Sequence, residues 1–290
     1  MHSRPDNMEN PSSYGTLYVV ATPIGNLEDL TFRAVNILKQ VNFIAAEDTR
    51  HSKKLLNHYG IETRLISCHE HNEADKTPLF ISQLKNGLNI ALISDAGTPT
   101  ISDPGYHLVR AAAKESIQVI PVPGCSAAMA GLSVSGLPTD IFYFLGFLPK
   151  KKEKLQQALE LLKNQKATLI IYESPKRITN LIESIIPLFG NRQACLAREI
   201  TKLHEEYMRG SLSEILGMLH EKQTIKGECS LFVQGGDGSE EVCVDEETLR
   251  KIILERLAAN DLGTSELARQ IAEKTGFPKK QVYEMILKLK

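Results

Sequence analysis

Leu17-Tyr18-Val19-Val20-Ala21-Thr22-Pro23-Ile24-Gly25-Asn26-Leu27-Glu28-Asp29-Leu30 carries the pattern that decides the fold. A β-branched apolar run leaves a strand, passes through a kinked loop and leads into a helix running from Phe32 to Val41. The same alternation recurs along the chain. Further strands are predicted at Phe43 to Ala46, Asn89 to Ser94, Gln118 to Val122, Ala167 to Glu173, Ala194 to Arg198 and Cys229 to Gln234. Unbroken apolar runs of this kind suit strands covered on both faces, so the fold class is α/β. Ligands in such sheets gather at the carboxyl ends of strands, and the residues just after each run therefore take the functional reading.

The loop after the third apolar run is Ser94-Asp95-Ala96-Gly97-Thr98-Pro99-Thr100-Ile101-Ser102-Asp103-Pro104-Gly105. A connection in an α/β unit usually needs about 2 to 6 residues, so its length and small side chains mark a ligand cradle. Asp95 or Asp103 could accept from an amine, while Asp103 before Pro104 also reads as a helix N-cap, the favoured reading for that residue. The next loop, Pro121 to Gly131, contains Cys125 and Ser126 before a small-residue helix. Ser126 can cap that helix or meet a ligand. Cys125 is placed where a helix would favour a thiolate, yet no His lies near it in sequence, and a small buried side chain is the stronger reading. The first loop has neither GxGxxG nor GxxxxGK[ST], which disfavours a Rossmann dinucleotide site and a P-loop.

Two later strands end in charge: Tyr172-Glu173-Ser174-Pro175-Lys176-Arg177 and Ala197-Arg198-Glu199-Ile200-Thr201-Lys202-Leu203-His204-Glu205-Glu206. Isolated pairs at such places usually form solvated salt bridges, but two clusters in succession strengthen the case for a site.

The 290 residues hold 34 Lys+Arg against 35 Asp+Glu, which excludes a protein that grips polyanions over its whole surface. Local footholds remain: the run Lys150-Lys151-Lys152-Glu153-Lys154 carries +3, and residues 263–290 carry six bases against three acids. No stretch approaches the roughly 20 apolar residues of a membrane-spanning helix, and the polar opening, residues 1–14, reads as a disordered tail rather than a signal sequence. Five cysteines, odd in number and never in a CxxC pair, argue against disulfides and a zinc site and fit a reducing cytoplasm; no metal is expected.

The prolines at 121, 123, 138 and 149 place a domain boundary near Pro123. The predicted organisation is an N-terminal α/β domain over 15–123, a second over 124–237, and a helical segment over 240–290. In the last segment Thr264 or Ser265 can cap a helix with Leu267, Ala268, Ile271 and Ala272 inside. Gly276 stops it, and Val282, Ile286 and Leu289 follow at helical spacing after Pro278. Two short helices make a helix-turn-helix candidate with Lys279, Lys280 and Lys288 on its recognition side; a plain helical cap fits the pattern equally well.

Together, TPIGNLEDLT, AEDTR, SDAGTPTISDPG, PVPGCSA, GFLPKK, YESPKR and AREITKLHEE resemble the tetrapyrrole methylase superfamily over Thr16 to about Asp237. Within it, the resemblance is to the branch that methylates the 2′-hydroxyl of a cytidine in small-subunit (16S) ribosomal RNA, whose members also carry terminal helices. The resemblance implies two α/β domains with S-adenosylmethionine in the cleft between them, and a homodimer acting on the small ribosomal subunit or its RNA. It places cofactor contacts at Pro23, Asp95, Ala96, Gly97, Thr98, Ile101, Asp103, Ser126, Ala127, Glu173 and Gly210. Glu173 and Glu199 become candidates for accepting the hydroxyl proton, with Lys176, Arg177, Arg198 and Lys202 as phosphate-holding or electrostatic partners. Lys150, Lys151, Lys152, Lys279 and Lys280 are the expected RNA contacts. Two positions depart from the family pattern: Lys176 stands where His is common, and the run after Pro149 lacks the usual Arg. The alternatives are a methyltransferase acting on a tetrapyrrole, disfavoured by AGTP in place of GGDP, and a ligand-sensing nucleic-acid-binding regulator without catalysis.

Overall fold

The computed structural model describes residues 14–236, 246–259, 263–275 and 277–289. The predicted N-terminal tail, apart from Tyr14, lies outside the described residues, as do Gly276 and the linker from Asp237 onward. The first sheet is built from β1 (Leu17–Val20), β2 (Phe43–Ala46), β3 (Leu65–Ser67), β4 (Ile90–Ile93) and β5 (Val119–Val122), in the order β3-β2-β4-β1-β5. All its pairings are parallel. Alternate side chains of each run go to opposite faces. Ile44, Ala46, Ala91 and Ile93 meet α1 (Phe32–Gln40) and α2 (Thr49–His58), whereas Phe43, Ala45, Ile90 and Leu92 meet α3 (Glu73–Lys85) and α4 (Tyr106–Lys114). This double coverage is why the runs are apolar without alternation. β1 and β4 are neighbours whose onward connections travel to opposite sides of the sheet, so a crevice opens above their carboxyl ends.

The chain then passes through α5 (Ala127–Ser135) to a second sheet. Its strands are β6 (Phe142–Phe147), β7 (Thr168–Glu173), β8 (Gln193–Arg198), β9 (Glu206–Ser211) and β10 (Cys229–Val233), in the order β6-β7-β10-β8-β9. Only β6 and β7 are parallel; the other pairs are antiparallel. One face is covered by α6 (Lys152–Leu162), α7 (Ile178–Phe189) and α8 (Leu212–His220). The other face packs Ile170, Cys195, Ala197 and Phe232 against Ala128 and Leu132 of α5 and against Ile24 from the first loop. The second sheet is thus also buried on both sides, and its inner face is the seam between the two units.

The last segment folds as α9 (Glu246–Ala259), α10 (Thr264–Thr275) and α11 (Lys279–Leu289) around Leu249, Ile253, Leu267, Ala268, Ile271, Val282 and Ile286. Thr264 is the first residue of α10, with the Gly263 carbonyl accepting from Leu267 N at 3.0 Å. Lys279 and Lys280 are exposed at the start of α11, and Lys288 is exposed near its end. No described helix is long and apolar enough to cross a membrane.

Candidate functional site

The three loops leaving β4, β1 and β5 are tied to one another by their own backbones. Thr22 N donates to Gly97 O at 2.8 Å and Gly97 N returns a bond to Thr22 O at 3.0 Å. Thr22 Oγ1 donates to Ser94 O at 3.1 Å, and Thr98 Oγ1 donates to Cys125 O at 3.1 Å. Holding that shape requires unusual backbone. Gly97 and Gly105 have φ of +78° and +120°, and Thr100 and Ser102, which carry side chains, are held at +73° and +66°. Non-glycine residues in the left-handed region cost about 1 kcal/mol or more each and concentrate at functional sites.

Opposite these loops stands the second sheet. Ala128 N, in the first turn of α5, donates to Tyr172 Oη at 2.9 Å, and Asn26 N donates to Thr201 Oγ1 at 3.1 Å. Between the two units lies a cleft of about 340 Å³, within the range of small-molecule sites. Of the expected cofactor residues, Ala96, Gly97, Thr98, Ile101, Asp103, Ser126, Ala127 and Glu173 line it. Pro23 is buried within the first loop, and Asp95 accepts from Asp48 N at 3.1 Å beside the cleft. Gly210 lies on the edge strand β9 opposite Ala194, away from the cleft lining.

The structure adds lining residues that the sequence did not single out. Ile24 and Ser102 come from the first and second loops, Phe147 and Tyr172 from the second sheet, and Glu228 and Ser230 from the approach to β10 and that strand. Antiparallel register brings these last together, since Cys229 pairs with Glu173 on one side and with Arg198 on the other. No local signal in the sequence reports a register between strands so far apart.

Glu173 is the most unusual group in the cleft. Its side chain is 1% exposed, and Oε1 accepts from Ser174 N at 2.7 Å. Oε2 lies 3.2 Å from Arg177 Nη2 but without hydrogen-bond alignment, and it has no hydrogen-bond partner among the described residues. A buried carboxylate oxygen left unsatisfied is costly unless a ligand completes it.

Asp103 does not cap a helix. Thr100 N donates to Pro104 O at 3.3 Å, and α4 begins only at Tyr106 behind Gly105, so the chain turns once more before the helix starts. The carboxyl is left against the cleft, where burial first, and then the charges of Glu47 and Asp95, push its pKa up to about 7. Ser126 does cap α5, accepting from Met129 N at 3.5 Å. Burial and the nearby Asp29 raise the Cys125 thiol, so it is not poised as a thiolate.

The remaining charged candidates lie outside the cleft lining. Glu199 sits at a tight turn with φ +54°, and its Oε1 accepts from Lys202 Nζ at 2.8 Å and from Glu228 N at 2.9 Å. Lys202 also reaches Glu228 at 3.2 Å, and Arg198 pairs with Glu206 at 2.9 Å. These groups brace the turn that supports Glu228 and the first loop. Lys176 is exposed, whereas Arg177 bridges Glu173 and the Pro149 carbonyl, to which Nη2 donates at 3.3 Å. Among the described residues no group of His, Cys, Asp and Glu side chains is arranged to hold a metal ion.

Comparison with known proteins agrees with this architecture. A protein from Halalkalibacterium halodurans named ribosomal RNA small subunit methyltransferase I is 50% identical over 273 residues, covering 93% of this chain and 94% of its own. The protein of the same name from Bacillus subtilis is 43% identical over 290 residues, covering 98% of each. Among solved structures, uroporphyrin-III-C-methyltransferase from Thermus thermophilus superposes with a TM-score of 0.55 at 20% identity, over 76% of this chain and 94% of that one. A diphthine synthase does so at 0.57 and 12% identity, over 76% and 90%. These two likenesses are of fold. Residues 16–216, which span the first sheet and most of the second, match the model of the tetrapyrrole (corrin/porphyrin) methylases, and the chain belongs to that family.

Proposed function

We propose that this protein transfers the methyl group of S-adenosylmethionine to the ribose 2′-hydroxyl of a cytidine in small-subunit ribosomal RNA. The observation that carries the reading is the unsatisfied Oε2 of Glu173 in a cleft walled by small-residue loops. The names of relatives 43% and 50% identical along nearly their whole length support the ribosomal substrate. When bound, S-adenosylmethionine supplies an electrophilic methyl on a sulfonium, and the chain's own groups do the rest. Ala96, Gly97, Thr98, Ser126 and Ala127 hold the cofactor, largely through backbone, because their side chains are too small to keep a ligand at a distance, and Ile101 adds an apolar wall. Glu173 accepts the hydroxyl proton as the oxygen bonds to the methyl, and Arg177 steadies the carboxylate in position. Lys150, Lys151, Lys152, Lys279 and Lys280 contact RNA phosphates.

We infer also a cytoplasmic homodimer. Ile141, just before the edge strand β6, and Tyr143 on it are 60% and 44% exposed, with Val134 of α5 also exposed, and these side chains offer the surface for a second copy. Methylation of a tetrapyrrole, the rival reading, draws on the family's name and on fold likeness, whereas the relatives that match at 43% and 50% identity are named for ribosomal RNA. The deciding experiment is mass spectrometry of nucleosides from small-subunit RNA in cells with and without the protein, together with transfer of labelled methyl to purified small subunits. Loss of one ribose-methylated cytidine in its absence is expected; unchanged ribose methylation overturns the reading.

Asp103 makes cofactor binding depend on pH. A carboxyl raised to about 7 keeps its proton in the folded protein at pH values where the unfolded chain has lost it. Stability from that retained proton is full below about pH 4 and is lost as pH rises through about 7. A cationic cofactor favours the carboxylate, so affinity rises across the same window. Binding at pH 8 should exceed that at pH 5.5 by about tenfold, with proton release on binding, and Asp103→Asn should remove most of the difference. Calorimetry in buffers of different ionisation enthalpy reads the released proton; affinity independent of pH in the parent protein contradicts the assignment.

A further inference from the structure

Three features stand beside the cofactor cradle: the Glu47 and Asp95 carboxyls, the exposed apolar edge of β6, and the ground between β6, α6 and α7. The third joins an aromatic ring to a set of cations. In a regular strand Phe144 and Phe147, three residues apart, would point to opposite faces. They do not here. The register against β7 shifts between Phe144 and Gly146, and Gly146 takes φ +59°, a left-handed conformation suited to glycine. A Cβ at Gly146 would also lie 2.8 Å from Ser102 Oγ of the second loop, which would have to move aside. The bulge turns Phe147 onto the same side as Phe144. Both rings meet Tyr172 edge-on, at centroid distances of 5.0 Å and 5.8 Å. Phe144 is half-buried, but Phe147 lines the cleft and stays 62% exposed.

Three residues further on, the chain enters the lysine run. Lys150 and Lys152 line a groove of about 490 Å³ between α6 and α7, with Arg177, Gln156, Asn180 and Ser184. Neither lysine forms an ion pair among the described residues, and both are exposed. Glu183, the acid in the groove, faces His220 at 3.8 Å. Arg177 belongs to the groove and also pairs with Glu173 in the cleft, so the two spaces share a wall.

The geometry points to an RNA-docking subsite beside the methyl-transfer cleft, in which Phe147 stacks a nucleobase of single-stranded RNA and Lys150, Lys152 and Arg177 hold the adjoining phosphates. An exposed aromatic ring beside unpaired lysines is the combination that binds unpaired nucleotides, since every base offers a π-face and every linkage a negative charge. The ring is fixed by the bulge and by Tyr172, so little freedom is lost on stacking. Single-stranded RNA is the occupant because charge and π-stacking are offered within a few residues of each other, a pairing that a base-paired duplex would not use.

The inference rests on RNA being the substrate, but its readout is RNA binding and not methylation. The test is fluorescence anisotropy of the full-length protein with a short single-stranded cytidine-containing oligoribonucleotide across a salt series. Phe147→Ala should weaken binding by about 5- to 100-fold with no change in salt slope, and Phe147→Tyr should restore most of it. Lys150→Ala with Lys152→Ala should make the slope of log affinity against log salt shallower by about 1.4, at about 0.7 for each phosphate no longer neutralised. S-adenosylmethionine affinity of the double lysine variant should equal that of the parent, and the thermal melt of Phe147→Ala should show that the fold survives. The subsite is overturned if Phe147→Ala binds RNA like the parent, if it loses only cofactor affinity, if the lysine pair leaves the slope unchanged, or if fully paired RNA binds as tightly. The expected binding defects in a protein that methylates no ribosomal RNA would remove the proposed substrate and leave the subsite standing.

Discussion

Glu173→Gln lowers the turnover of methyl transfer by about 10²- to 10⁴-fold, the range expected when a positioned proton acceptor is removed. The substitution is nearly isosteric. An amide oxygen can still accept from Ser174 N, the bond made now by Oε1 at 2.7 Å, so the loop after β7 keeps its course. Basicity is lost, and so is the charge facing Arg177. Cofactor affinity should change by less than about tenfold, because the cradle residues on the first unit are untouched. The signature is therefore a fall in kcat with KM for the cofactor nearly preserved, read by single-turnover transfer of labelled methyl to small subunits. A variant that binds cofactor and methylates at the parent rate removes Glu173 as the proton acceptor. Glu199→Gln is the natural contrast: its carboxylate is occupied by Lys202 and by Glu228 N, and the expected consequence is a looser turn with a smaller kinetic effect.

Gly131→Val separates the two units and is the most damaging single change expected for cofactor binding outside the cleft itself. Gly131 lies in α5 where that helix crosses the second sheet. A Cβ there would stand 2.7 Å from Phe232 Cε2, closer still to Cζ, and 3.3 Å from Ile200 Cδ1. Phe232 is fully buried on β10, which is bonded to β7 on one side and β8 on the other, so the ring has nowhere to go. The helix must move instead. Overpacking of this kind costs about 1–3 kcal/mol or more, a fall in melting temperature of about 3–10 °C. Because Ser126 and Ala127 at the start of α5 line the cleft, the same displacement spoils the cradle, and cofactor affinity should fall more than tenfold. Calorimetric melting with cofactor titration checks both; a variant with the parent's melting temperature and affinity refutes the role of the seam.

The strands that the sequence disclosed and those it hid divide by position in the sheets. β1, β2, β4, β7, β8 and β10 are apolar runs because each is flanked by other strands and covered by helices. β5 is an edge strand that still shows the run. β3, β6 and β9 are not among the predicted strands, and each is an edge: β3 is only three residues long, β9 is polar, and β6, though apolar from Phe142 to Phe147, is interrupted by Gly146. With one side unpaired, an edge strand can carry Glu206, Arg209 and Gly210, as β9 does, or exposed aromatics, as β6 does. The cradle loops were legible for a related reason. Their small, kinked residues have no use in packing a core, and the excess length of 94–105 was visible without any structure. Asp103 misled because Asp-Pro is a sound cap signal, and the extra turn closed by Thr100 and Pro104 is set by tertiary contact, not by that dipeptide.

By itself the sequence determined the α/β class, the terminal helices and the loops that line the cleft, since periodicity and side-chain size are local properties that survive in one dimension. Tertiary structure alone decided which charges face the cleft. Glu173 and Glu199 look alike in sequence, each at a strand's end among basic residues. Antiparallel register and the turn at Glu199 set one in the cleft, with Oε2 facing Arg177 but accepting no hydrogen bond, and bind the other to Lys202 and the Glu228 backbone. The bulge that aims Phe147 belongs to the same class of fact. Whether a carboxylate or a ring meets a ligand depends on strand pairing across long separations, and the free energy of that pairing resides in interactions that no local window contains.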